Sequence, residues 1–233
     1  MANFNTHFSF AAGASALLAT SAMTFGLASP NEALGLWSAG TVGGMLPDID
    51  ADDSKAIRVL FNLLAGAIIG LWLVIVHPQV SLISLWLGAL AIFILVRYLL
   101  MNIFERFTVH RGSIHSLLVV AIFGQAAVVM MHHLGFTALF SWLVGLFLVV
   151  GCLVHLLLDE LYSVDISDVR IKRSFGTAFK LADFGKPWLV AIQLLGLIAL
   201  AFLLPPISAF IEPVTRLIEE PNTFHILPNW LPL

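Results

Sequence analysis

The sequence predicts an all-α fold, a polytopic integral membrane helical bundle with six full spans plus one short glycine-rich span or half-helix. Three observations predict it. Hydrophobic residues make up 60 % of the 233 residues and charged residues 11 %, whereas a soluble domain carries about 25 % charged residues. The apolar residues gather into runs of about 20, the length a helix needs to cross the hydrocarbon core. The few basic residues fall almost entirely between alternate runs, as they do in membrane proteins.

Six runs qualify as full spans: Phe8–Ala28, Ile57–Val76, Val80–Leu100, Ser116–Leu134, Leu139–Leu158 and Pro187–Phe210. A seventh, Ala33–Leu46, is short and holds Gly35, Gly40, Gly43 and Gly44. No basic residue precedes Lys55, so the N-terminus lacks the charged start of a secretory signal and is expected to be retained. Residues 1–211 then form one membrane domain, and 212–233, with Pro213, Pro221, Pro228 and Pro232, an irregular external tail. A net charge of −3 offers nothing to nucleic acid, and the single Cys152 excludes a disulfide framework or a thiolate metal site.

Counting Ala33–Leu46 as a crossing puts the N-terminus, 47–56, 101–115 and 159–186 on one side. Lys55, Arg58, Arg97, Arg106, Arg111, Arg170, Lys172, Arg173, Lys180 and Lys186 belong to that side, and only Arg216 to the other. The positive-inside rule makes the basic side cytoplasmic. Connections on the far side are tight, at Ser29–Glu32, His77–Gln79 and Gly135–Thr137.

The same cytoplasmic side collects the chemistry. His7 precedes the first span, Asp48 and Asp50 follow the glycine-rich run, His110 and His115 stand in HRGSIHS, and His155 and Asp159 close HLLLD. His155 and Asp159, spaced i,i+4, project from one helical face. Pro47 disfavours helix at Leu46, so Leu46–Asp50 is expected to be extended, with Asp48 and Asp50 pointing the same way. Gly112 is expected to break the chain between the two histidines, with Ser113 capping a helix that carries His115 in its first turn. Polar groups at helix ends are cheap enough that each segment alone could be mere solvation; together, on one face, they outweigh that reading.

Imidazole with carboxylate suits zinc, manganese or iron better than magnesium or calcium. Four histidines and three aspartates exceed one tetrahedral site, so two divalent ions are expected, zinc first, with one aspartate bridging. Two such ions can activate water and stabilise a phosphoester leaving group. Asp48, Asp50 and His115 are the candidate catalytic groups, and Arg111, Arg106, Lys55 and Arg58 could hold phosphate oxygens.

His7, G-M-L-P-D-I-D ending at Asp50, H-R-G-S-I-H-S from His110 and H-L-L-L-D ending at Asp159 together resemble the YdjM-like family of bacterial inner-membrane proteins. That resemblance runs from about residue 7 to 160. It implies a metal-dependent hydrolase with His7, Asp48, Asp50, His110, His115, His155 and Asp159 as metal ligands. The family is in turn distantly similar to the zinc-dependent phospholipase C and nuclease group. That group is soluble and uses a free N-terminal tryptophan, where this chain begins MANFNTH. A single His-x-x-x-Asp pair argues against a three-metal cluster.

The expected function is a cytoplasm-facing phosphoesterase acting on a lipid or other membrane-associated substrate. A second reading is a metal-free lipid phosphatase, with His155 or His115 phosphorylated and Asp159 orienting it; no P-S-G-H or K-x6-R-P accompanies the pair. A third is a metal-ion transporter or scaffold, which would want ligands at mid-span on facing helices.

Overall fold

A computed structural model describes residues 3–50, 55–76, 80–107, 115–165, 170–171 and 179–219. The first helix, α1 (Phe4–Thr24), starts where the Asn3 side chain accepts the Thr6 N–H at 2.9 Å. Gly26, with φ of 69°, turns the chain back. A capping box between Ser29 and Glu32, with Pro30 in the first turn, launches α2 (Pro30–Gly43). A 3₁₀ turn, Leu46–Asp50, leads toward α3 (Lys55–Val76).

After α3 the chain returns through α4 (Leu82–Ile94), a π-helical stretch Leu95–Leu100 and α5 (Met101–Phe107). The next hairpin is α6 (Leu117–His133) and α7 (Ala138–Leu161), the latter capped by Thr137. A two-residue antiparallel pair, Val164–Asp165 with Arg170–Ile171, follows α7. Two helices end the described chain: α8 (Pro187–Ala201) and α9 (Ser208–Glu219).

The central element is α7, with α1, α2 and α6 packed around it, α8 against α6 and α9 against α7. One apolar cluster joins Leu36 of α2, Ala127 of α6 and Phe140, Leu143 and Phe147 of α7. The α3–α5 hairpin is tied in through the 3₁₀ turn, whose Ile49 packs against the clusters that hold Ile57 and Leu60. Its outer faces are apolar and open, Val74 being 78 % and Trp86 71 % exposed; such faces suit lipid rather than water.

Among the described residues three helical runs are long and apolar enough to cross a membrane: Lys55–Val76, Leu82–Phe104 and Ala138–Leu161. The other expected spans differ in detail. The 21 residues of α1 are diluted by Thr6, Ser9, Ser15, Thr20 and Ser21, and α6 is apolar but only 17 residues long. The run expected to reach from Pro187 to Phe210 is broken, because Pro205 and Pro206 end what α8 began. The glycine-rich run is a 14-residue helix, α2, about 21 Å long at 1.5 Å per residue. The segment expected to be irregular from 212 is helical to Glu219 despite Pro213, while residues 220–233 lie outside the described part.

Glycines set how closely α2 and α7 approach. A Cβ on Gly151 would collide with the Gly40 carbonyl oxygen, and one on Gly43 with the Leu148 carbonyl. Small residues let helix backbones meet in this way, so that main-chain groups of one helix come within reach of side chains on the other.

Candidate metal centre

That close approach builds the site. His155, in the last turns of α7 and fully buried, donates from Nδ1–H to the Gly44 carbonyl at the C-terminal end of α2, at 2.8 Å. One turn earlier the Cys152 thiol donates to the Gly43 carbonyl at 3.1 Å. Bonding at Nδ1 fixes the ring and leaves Nε2 pointing into the cluster, where it is buried without a hydrogen-bond partner. Asp159 lies one turn further along the same face, its Oδ2 at 3.6 Å from His155 Nε2.

Three other segments converge on this pair. His7, from the first turns of α1, stacks on His155 with ring centroids 3.7 Å apart and sets Nε2 at 3.3 Å from Asp159 Oδ1. Asp48, on the 3₁₀ turn, places Oδ1 at 3.4 Å from His155 Nε2 and 3.7 Å from His115 Nε2. His115, just before α6, also faces Asp159 Oδ2 at 4.0 Å. His7, His115, His155 and Asp159 are buried, while the Asp48 side chain is 22 % exposed and forms the rim.

Local structure explains two departures from expectation. Leu46–Asp50 is a 3₁₀ turn rather than an extended stretch: Pro47 fits a first helical turn, where its missing N–H costs nothing. His115 precedes its helix instead of riding in the first turn, since α6 starts at Leu117 after Ser116. The free N–H groups of Leu117 and Leu118 donate to the carbonyls of Lys180 and Leu181 at 3.0 and 3.1 Å. The loop before α8 thereby holds the end of α6 in place, and His115 with it.

The donor set fits a metal ion. His7, Asp48 and His155 form one group, and His115, His155 and Asp159 another, with ligand atoms within 4.8 Å of one another. The separations of 3.3–4.0 Å are longer than most hydrogen bonds. They lie close to the roughly 3.4 Å edge of a tetrahedron built on bonds of about 2.1 Å. Two ionised carboxylates, Asp48 and Asp159, place negative charge at the site, which favours a divalent cation. Burial pushes the Asp48 carboxyl up, but His115 and His155 facing it outweigh burial and hold it well below the ordinary carboxylate range.

Five of the seven expected ligands thus come together: His7, Asp48, His115, His155 and Asp159. His110 and the side chain of Asp50 lie outside the described residues, as do Arg111 and the side chain of Arg106. Lys55 is exposed and Arg58 half-buried on the first turns of α3, beside the turn that carries Asp48. Sequence reasoning missed the carbonyl of Gly44 and the role of Gly151; the signal available was the pairing of small residues at Gly40, Gly43 and Gly44 with G-C at 151–152.

A family model of YdjM inner membrane proteins matches residues 1–171. No curated protein and no solved structure matches the chain. The matched region contains all five converging ligands and every helix that carries one, and the chain belongs to the YdjM inner membrane protein family.

Proposed function

We propose that the chain is a membrane-bound, metal-dependent hydrolase, cleaving a phosphoester carried by a lipid or another membrane-associated molecule. One observation carries this reading: three imidazoles and two carboxylates from four separate segments meet in a buried spot at one end of the bundle. Structural polar groups at helix ends have no reason to converge at ligand spacing. Zinc suits the set best, with manganese or iron next.

The assignment of ligands follows from His155. Its Nδ1 is tied to Gly44, so only Nε2 can bind an ion, and the two groups of three compete for it. His115, His155 and the two carboxylates would hold a first ion. A second ion could be held by His7 together with Asp159.

A divalent ion supplies Lewis acidity toward a phosphoryl oxygen and toward the attacking water. Asp48 stays ionised, which makes it a good ligand and a poor proton acceptor; at the rim it would orient the water by accepting a hydrogen bond. Lys55, Arg58, Arg106 and Arg111 would neutralise substrate phosphate, and the excess of basic residues at this end would place the site on the cytoplasmic face.

The transport reading wants ligands along the membrane depth, yet α7 between Ser141 and His155 carries no ionisable group except Cys152. The test is hydrolysis of chromogenic phosphomonoesters and phosphodiesters by protein purified without chelator. Turnover abolished by chelator and restored by zinc or manganese supports the proposal. Turnover that survives chelator favours the phosphohistidine reading, and a metal-loaded protein inert toward every phosphoester favours a scaffold.

A further inference from the structure

The run Leu82–Phe104, long and apolar enough to cross a membrane, holds a single charged side chain, Arg97. It stands in the π-helical stretch Leu95–Leu100, a geometry that is rare and frequent at functional sites. A cation there is costly unless it reaches a counter-charge. The half-buried guanidinium leans toward the C-terminal end of the run, where Nη1 donates to Met101 Sδ at 2.9 Å. Its Cζ lies 5.5 Å from the Tyr98 ring centroid. Both contacts are neutral, and no ion pair among the described residues includes Arg97.

The Tyr98 ring below that guanidinium lines, with Ala91, Ile94, Leu95 and Leu99, an open groove of about 560 Å³. Ile94, Leu95, Tyr98 and Leu99 are each at least half exposed, an apolar strip that meets the cation through Tyr98. We propose that this turn binds an anionic phospholipid, with the guanidinium holding the lipid phosphate and an acyl chain lying along the groove. Charge complementarity carries the assignment. A guanidinium offers five donors in a fork that matches phosphate, and here one of them is spent on a thioether. The lean toward Met101 aims the fork at the headgroup layer, since α5 ends on the side of the metal centre.

The site is close to the chemistry. Val96 and Met101 share an apolar cluster with Ile57, against which Ile49 packs, and Ile49 follows Asp48 in the chain. A lipid held at Arg97 therefore presents its headgroup next to the turn that forms the rim of the metal centre. Binding at Arg97 does not depend on the hydrolase reading and stands or falls separately.

Native mass spectrometry of the detergent-solubilised protein with equimolar phosphatidylglycerol and phosphatidylcholine tests it. The parent is expected to retain phosphatidylglycerol about fivefold over phosphatidylcholine, the preference one basic residue at a membrane surface provides. Arg97→Gln loses that preference with metal content unchanged, Arg97→Lys keeps most of it, and Ala91→Trp, which fills the groove, lowers retention of both lipids. Equal retention of the two lipids by the parent overturns the proposal without any variant, and so does an Arg97→Gln protein that keeps the preference.

Discussion

The buried hydrogen bond from His155 Nδ1 to the Gly44 carbonyl, 2.8 Å long, joins the end of α2 to the last turns of α7. It turns the glycines of α2 into parts of the site, because only glycine lets the two backbones come near enough for that bond. Partners that orient a metal-binding histidine through its other nitrogen matter nearly as much as the ligands.

Gly151→Ala should therefore damage both fold and site. Its Cβ would meet backbone, the Gly40 carbonyl, which cannot swing aside. Overpacking of this kind costs about 1–3 kcal/mol, and the shift of α2 also withdraws Gly44 from His155. Thermal unfolding in detergent should show a lower midpoint and metal analysis a reduced content. Gly13→Ala and Gly66→Ala, where a Cβ meets nothing within 4 Å, should leave both unchanged.

Asp159→Asn keeps the size of the side chain but removes half the negative charge facing His7, His115 and His155. Metal affinity should fall by at least about 100-fold, more than the 10–100-fold expected for an outer-shell partner. Competition with a chromogenic chelator measures it. A variant that binds metal as tightly as the parent would remove Asp159 from the ligand set.

Acidification should release metal through the imidazoles and not through Asp48. A depressed carboxyl contributes its stabilisation above its unfolded-state value and loses it only as pH falls through the lower folded value. Asp48, held well below the ordinary range, therefore stays charged from pH 8 to 5. Imidazoles bind metal only when unprotonated. Affinity measured by competition should fall steadily as the pH is lowered from 8 to 5. A profile flat to pH 5 would mean that histidine is not coordinating.

Chelator should also destabilise the parent. Binding at 100 times its dissociation constant stabilises by about 2.7 kcal/mol, which for a chain of this size is roughly 5–10 °C. The His155→Ala protein, unable to load, should show no chelator-induced shift. Differential scanning fluorimetry of both proteins with and without chelator reads the two shifts side by side.

Much of the site was legible because its parts obey rules of spacing and side. The i,i+4 relation of His155 and Asp159 is a property of any helix, and His7, Asp48 and His115 stand at the ends of apolar runs that bring them to one end of the bundle. The 3₁₀ turn at Leu46–Asp50 was not legible, since proline fits an extended stretch and a first helical turn equally well. Nor was the late start of α6, which depends on carbonyls of Lys180 and Leu181 some 60 residues away. The break after Ala201 was written in Pro205–Pro206, and continuous hydropathy masked it. The approach of α2 to α7 is a three-dimensional fact about small residues; glycine spacing hints at it but names no partner.

The most direct test of the central claim is metal content per chain, measured by mass spectrometry of protein purified without chelator, beside His155→Ala and Asp48→Ala. The predicted result is one to two zinc, manganese or iron ions per parent chain, lost in both variants while helical content is retained. A folded parent that carries no metal and takes up none from solution would contradict it.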